Sequence, residues 1–188
     1  MADLCKRLTF GALAGLAATV PMTLFMLWRH TKLPRHLRYD LPPRLVTDAA
    51  ARKLDPVDSA VPNRQKSLRA LAAHFGFGAA CGALLPLVVG RKNPSILVGV
   101  TYGLAVWAGS YLGWIPALRL LKPATQHPAS RVAMMLSAHA IWGIALVWFF
   151  RLLHSRDQQV DRGDAAMRNR ASTKEEHCDH YRSHHARD

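Results

Sequence analysis

The sequence predicts an all-α membrane protein with four transmembrane helices, arranged as a tandem duplication of a two-helix unit. Half of the 188 residues are hydrophobic, yet the mean hydropathy is only +0.01, so apolar and polar residues are segregated along the chain. Four stretches contain no Asp, Glu, Lys or Arg, namely residues 8–28, 70–90, 93–118 and 132–150. At about 1.5 Å per helical residue, each stretch spans or nearly spans the roughly 30 Å hydrocarbon layer.

Two short motifs that each occur twice indicate the duplication. The pattern GxxxGLA begins at Gly11 and again at Gly99, and the pattern LxAHxxxG contains His74 in its first copy and His139 in its second. A unit with an even number of helices is followed by a second unit that runs in the same direction across the membrane. We therefore expect a pseudo-two-fold axis along the membrane normal, which places the two histidines at equal depth near the same side.

The transmembrane domain is expected to cover residues 1–153, with spans at about 8–28, 68–90, 95–115 and 131–153. Pro21 is expected to bend the first span. The long first connection contains apolar residues at helical spacing, among them Val46 and Ala50, with charged residues on the opposite side. This pattern predicts an amphipathic helix at about 43–54 that lies on the membrane surface.

Residues 154–188 form a polar tail that is expected to be disordered, because it has almost no aliphatic residues and mixes Arg with Asp throughout. Its end carries thiolate and imidazole groups, which are metal ligands by type. Nothing in the sequence fixes their geometry, so they are weak candidates, and we predict no metal and no cofactor. These tail residues are His177, Cys178, His180 and His184.

The formal net charge of +13 arises from residues that all lie outside the four apolar stretches. This distribution is typical of interfacial anchoring, so the expected partners are the lipid bilayer and its anionic head groups, and not nucleic acid. A second copy of the chain or another membrane protein is a further candidate partner. The basic residues divide almost evenly between the two sides, so the orientation in the membrane stays undecided.

Small residues on transmembrane helices allow two backbones to approach closely. The glycines of the repeated motifs are therefore the expected helix-packing positions. They are Gly11, Gly15, Gly78, Gly99, Gly103 and Gly143.

Three hypotheses account for one histidine in each unit. The imidazoles could bridge helices by hydrogen bonds to a carbonyl or to a hydroxyl such as that of Thr19, Thr101 or Tyr102. His74 and His139 could instead titrate as a pair and let the protein sense or pass protons. They could also ligate a b-type haem between the second and fourth spans.

Catalysis is not expected, because the spans contain no carboxylate and the chain lacks the common hydrolase, phosphate-binding and metalloprotease motifs. The leading expectation is a transporter-like or proton-responsive membrane protein. The alternative is a structural or assembly partner that docks other membrane proteins through its glycine-rich faces.

Several short motifs resemble the YagU-like family of small bacterial inner-membrane proteins, a group without an assigned activity. The resemblance covers residues 11–153 and includes the GxxxG opening of the first span and His74. It also includes the phrases Pro-Pro-Arg at residues 42–44, Gly-Trp-Ile-Pro at residues 113–116 and His-x-x-Trp at residues 139–142. The resemblance implies a multi-pass protein of the bacterial inner membrane and transfers no catalytic residue.

Overall fold

In a computed structural model of the chain, every regular element of the described residues is helical. The structure describes the backbone of residues 2–32, 40–54, 61–90 and 93–185, and the side chains of residues 3–32, 40–54, 61–90 and 93–160. The helices are α1 (Ala2–Lys32), α2 (Pro42–Leu54), α3 (Asn63–Val89), α4 (Ile96–Ala108), α5 (Ile115–Ala117) and α6 (Ala129–His185). A π-helical segment, Gly109–Trp114, joins α4 to α5, and a 3-10 turn at Ala124–Gln126 precedes α6.

Four helical segments of the described chain are long and apolar enough to cross a membrane, which confirms the predicted all-α class with four spans. These segments are Asp3–Lys32, Asn63–Val89, Ile96–Ala117 and Ala129–Val160. Three of them extend well beyond the apolar stretches of the sequence, because charged and polar residues at the ends of those stretches are also helical. The first span also stays one continuous helix through Pro21.

The chain divides into two units, Met1–Arg151 and Leu152–Asp188. In the second unit the backbone is helical to His185, where the sequence predicts disorder. Residues 154–185 contain no proline and many good helix formers such as Ala, Arg, Gln and Glu, so local propensity favours a helix there. The side chains of the four tail metal candidates lie outside the described residues. The following paragraphs concern the first unit.

Helix α1 shows how small residues face the interior while large ones face outward. Ala14, Ala18, Met22 and Met26 recur every fourth residue and are almost fully buried. Large apolar side chains such as Leu24 lie on the other side and are exposed. Because lipid tails are as apolar as leucine, burying leucine inside a membrane bundle gains no hydrophobic free energy. Such a bundle is stabilised instead by close packing of small residues inside, and leucine can face the lipid.

Glycines bring the helix backbones together at two crossings among the described residues of the first unit. A Cβ built on Gly82 of α3 would lie 2.7 Å from the Cα of Gly15 in α1 and would overlap the carbonyl oxygen of Gly11. A Cβ on Gly143 of α6 would lie 2.7 Å from the carbonyl carbon of Gly99 in α4. Both crossings are antiparallel, and the first one includes Gly82, which the sequence analysis did not name.

The two crossings differ in register by one helical turn. A Cβ on Gly15 would meet the carbonyl of Gly78, whereas a Cβ on the matching Gly103 would meet the carbonyl of His139. The repeated motifs align Gly78 with Gly143 and not with His139. The second helix pair is therefore offset by one turn from the pairing that the repeated motifs would give. The tandem duplication stays a prediction from the sequence.

Two aromatic side chains join the pairs to each other. The Tyr102 hydroxyl donates a hydrogen bond of 2.6 Å to the Cys81 carbonyl, from α4 to α3. The Trp142 indole nitrogen donates one of 3.3 Å to the Gly15 carbonyl, from α6 to α1. The rings of Tyr102 and Trp142 stack with their centroids 6.1 Å apart, so one aromatic pair sits at the junction of all four spans.

Candidate functional site

Both predicted histidines line one cavity with a volume of about 320 Å³ that is partly open at the surface. Helix α3 supplies His74 and α6 supplies His139, while α1, α2 and the end of the third span complete the walls. Of the six glycines predicted to pack helices, Gly78 also lines the cavity. The structure thus brings the two histidines to one place, near the ends of α3 and α6 that adjoin α2.

The His139 imidazole is held in a defined orientation. Its Nδ1 lies 2.8 Å from the Met135 carbonyl oxygen, one turn earlier in α6, and 8% of the residue is exposed. Because a carbonyl oxygen only accepts, Nδ1 is the protonated nitrogen in this bond, which leaves Nε2 available to another partner. The Tyr111 ring meets the imidazole edge-on, with centroids 6.2 Å apart.

The His74 imidazole is not satisfied in the same way. Its Nε2 is buried and has no hydrogen-bond partner among the described residues. The three hydroxyls proposed as bridging partners donate to backbone carbonyls instead: Thr19 to Gly15, Thr101 to Leu97 and Tyr102 to Cys81. A buried imidazole nitrogen without a partner costs about 1–3 kcal/mol, which a ligand or a proton acceptor could recover.

The π-helical segment Gly109–Trp114 forms one wall, and the sequence analysis did not predict it. It contributes Ser110, Tyr111 and Trp114 to the cavity lining. Its backbone departs from helical geometry at Gly113, where φ is −106° and ψ is −108°. Pro116 was the feature of the sequence that could have indicated an irregular helix here. Proline has no amide hydrogen to donate within a helix, and its ring collides with the carbonyl four residues earlier.

Helix α2 covers the end of the cavity. Val46 and Ala50, predicted to face the membrane, lie over the bundle and line the cavity together with Pro43 and Thr47. The Lys53 ammonium donates to the Leu118 carbonyl, and the Arg44 guanidinium donates to Asn63 Oδ1 at 3.0 Å. The apolar face of an amphipathic helix can pack on protein as readily as on lipid. In α2 this face packs on the bundle, and the two hydrogen bonds join the helix to neighbouring segments.

Arg131 is a second feature that sequence reasoning missed. It lies in the first turn of α6, is 1% exposed, and donates from Nη2 to the Asp40 carbonyl at 3.3 Å. This bond connects the start of α6 to the segment just before α2. A basic residue at the edge of an apolar stretch is usually solvated, so its burial was not apparent from the sequence.

The lining of the cavity is almost entirely apolar. None of the described residues that line it is Asp, Glu, Lys or Arg. Among the described side chains, no group of three or more His, Cys, Asp or Glu is placed to hold a metal ion. The arrangement therefore offers two imidazoles and a few hydroxyls in an apolar cavity, which suits hydrogen bonding to a small molecule.

Comparisons with known proteins found no matching family, no matching curated protein and no matching solved structure.

Proposed function

We propose that this chain is a transporter-like, proton-responsive protein of the bacterial inner membrane, with His74 and His139 as its titrating pair. The carrying observation is that both histidines line one cavity of about 320 Å³. They come from different helices and are 65 positions apart in the sequence (139 − 74). Histidine is the side chain whose charge changes near neutral pH. Protonation of two histidines that line one cavity would therefore change the charge of that cavity.

Protonation would act on the cavity by changing what its imidazoles can donate. With Nδ1 bonded to the Met135 carbonyl, neutral His139 offers an acceptor at Nε2, and the protonated ring offers a donor there. A change from acceptor to donor alters which molecules the cavity holds. Proton binding and cavity occupancy would then be linked, as in a transporter.

The docking alternative receives less support from the contacts. All six predicted packing glycines meet backbone or side-chain atoms of this chain, as GxxxG faces do in a helix pair. Since these faces are covered from within, they are not available for a second protein. The large apolar side chains that remain exposed on the spans suit lipid.

Haem ligation also receives less support. An apolar cavity of about 150 Å³ holds one benzene ring, so a cavity of about 320 Å³ holds roughly two fused rings. A porphyrin is several times larger. The likeness to the YagU-like family and the inner-membrane location stay predictions from the sequence.

Proton flux tests the proposal. The protein is reconstituted into liposomes that contain a pH-sensitive dye, a pH gradient is imposed, and the wild type is compared with a His74→Gln, His139→Gln variant. Glutamine keeps a polar side chain of similar reach but does not titrate. The matched control is a His30→Gln, His127→Gln variant, because neither of these histidines lines the cavity.

We expect flux above the empty-liposome rate for the wild type and the control, and loss of that flux in the cavity variant. Equal, near-background traces from all three proteins would contradict proton passage. Equal and clearly elevated traces would show a proton path that does not use the histidine pair.

A further inference from the structure

The cavity that contains the histidines has the size of a small bicyclic molecule. Its volume of about 320 Å³ is roughly twice the 150 Å³ that accommodates benzene, and it lies at the lower end of the range of ligand pockets. A ligand that fills it has about 12 non-hydrogen atoms, taking benzene as the measure. A whole phospholipid or porphyrin is larger than this volume.

The apolar walls of the cavity favour a flat, aromatic ligand. Met22, Met26 and Met135 line it, and methionine adapts its shape and makes favourable sulfur contacts with aromatic rings. Tyr111 and Trp142 add planar side chains to the same lining. Such rings pack on another aromatic ring by stacking or edge-on contact.

The polar atoms select a neutral ligand with a hydrogen-bond acceptor. No described lining residue is a carboxylate, ammonium or guanidinium, so nothing compensates a charged ligand in this apolar space. The unpartnered His74 Nε2 is buried in the cavity wall, and a rotation of the imidazole toward the cavity would let it donate its ring hydrogen to a carbonyl oxygen. The Ser110 hydroxyl lines the same space and is a second donor.

The cavity is covered on the side of α2 and bordered by exposed aromatic rings on the side of the spans. Pro43, Val46 and Ala50 of α2 close the first side. Phe77 of α3 and Trp114 of the π-helical segment are 39% and 40% exposed, and their ring centroids lie 6.0 Å apart. The two rings pack against each other, and both belong to segments long and apolar enough to cross a membrane, so this side of the cavity suits entry of a lipid-soluble molecule beside the pair.

We infer that the cavity binds a lipid-soluble aromatic carbonyl compound of the naphthoquinone class. A naphthoquinone has two fused rings, no charge and ring carbonyls, which match the volume, the lining and the donors in turn. Any apolar tail would extend past the Phe77–Trp114 ring pair into the bilayer. The inference rests on the proposed function in taking this cavity as the working site, but it does not require proton passage.

Binding of menadione, a tailless naphthoquinone, tests the inference. The full chain is placed in lipid nanodiscs, and calorimetry at constant pH measures saturable binding after the heat of partition into empty discs is subtracted. Methylnaphthalene is the matched ligand, since it has the same fused rings without carbonyls. We expect one saturable site for menadione and at least about tenfold weaker binding of methylnaphthalene, the loss of roughly one buried hydrogen bond.

A filled cavity provides the second arm. The variant Ala50→Phe places a ring in the cavity from α2, and Ala51→Phe makes the same change at the next residue, which does not line the cavity. We expect the first variant to lose menadione binding and the second to keep it. Thermal unfolding of both variants in nanodiscs checks that each is folded.

Three results would overturn the inference: menadione that only partitions into lipid, methylnaphthalene that binds as tightly as menadione, or equal binding by the two folded phenylalanine variants. The ligand comparison uses only the wild type, so it decides even if a variant fails to fold. The binding measurement uses no proton gradient and the flux measurement uses no menadione, so a failure to bind menadione does not decide the flux experiment. Absence of flux likewise leaves this binding measurement unaffected.

Discussion

The substitution Gly143→Ala is expected to destabilise the bundle, whereas the same methyl addition at a control position with open space is not. Its Cβ would lie 2.7 Å from the carbonyl carbon of Gly99, whereas non-bonded carbon atoms prefer about 3.5–4.0 Å. Helices α4 and α6 would therefore have to separate by about 0.8 Å or more (3.5 − 2.7) at this point. Neither atom is at the end of a flexible side chain, so no simple rotation relieves the overlap.

Opposing contributions set the size of the effect. Overpacking costs about 1–3 kcal/mol, and replacing a mid-helix glycine by alanine returns about 0.5–1 kcal/mol. The net expectation is a loss of about 1.25 kcal/mol, or roughly an eightfold shift in the unfolding equilibrium. The matched control is Gly76→Ala in α3, where a Cβ meets no atom within 4 Å and only the gain applies.

Equilibrium unfolding by dodecyl sulfate in mixed micelles, followed by tryptophan fluorescence, measures both variants. Gly143→Ala should unfold at a lower dodecyl sulfate fraction than the wild type, and Gly76→Ala at an equal or higher one. If Gly143→Ala were as stable as Gly76→Ala, α4 and α6 would not cross at Gly99 and Gly143. The position of His139 beside the cavity would then need to be revised.

Two further substitutions test the contacts that join the helix pairs. Trp142→Phe removes the indole hydrogen bond to the buried Gly15 carbonyl and should cost about 1 kcal/mol in the same unfolding assay; the control Trp148→Phe, at a position 59% exposed, should cost much less, and equal losses would argue against the bond. Tyr102→Phe removes the hydroxyl that donates to the Cys81 carbonyl and should also cost about 1 kcal/mol, so unchanged stability would contradict that contact.

The existence of the four spans followed directly from the sequence, because a charge-free stretch of about 20 residues has few stable arrangements other than a transmembrane helix. The convergence of His74 and His139 on one side was also expected, from the shared direction of the two helix pairs. The register of those pairs was not. Gly103 meets the His139 carbonyl and not a glycine, and which small residues touch depends on the tilt and offset of two packed helices.

The cavity could not be predicted, because two of its walls depend on choices that local sequence leaves open. The apolar face of α2, with Val46 and Ala50, could have faced lipid, and packing on the bundle decided otherwise. The π-helical wall follows from Gly113 and Pro116 together, and a hydropathy pattern does not distinguish it from an ordinary helix. The sequence thus indicated the two imidazoles but not the cavity that both of them line.

The most direct test of the account is the titration of the histidine pair as sensed by the tryptophans of its own cavity. A protein that retains Trp114 and Trp142 is placed in nanodiscs and its fluorescence is followed from about pH 8 to pH 4, across the range in which histidine changes charge. The remaining tryptophans, which do not line the cavity, are replaced by phenylalanine: Trp28, Trp107 and Trp148. The account predicts a reversible, sigmoidal change that disappears in the His74→Gln, His139→Gln variant, whereas the same titration curve in both proteins would contradict it.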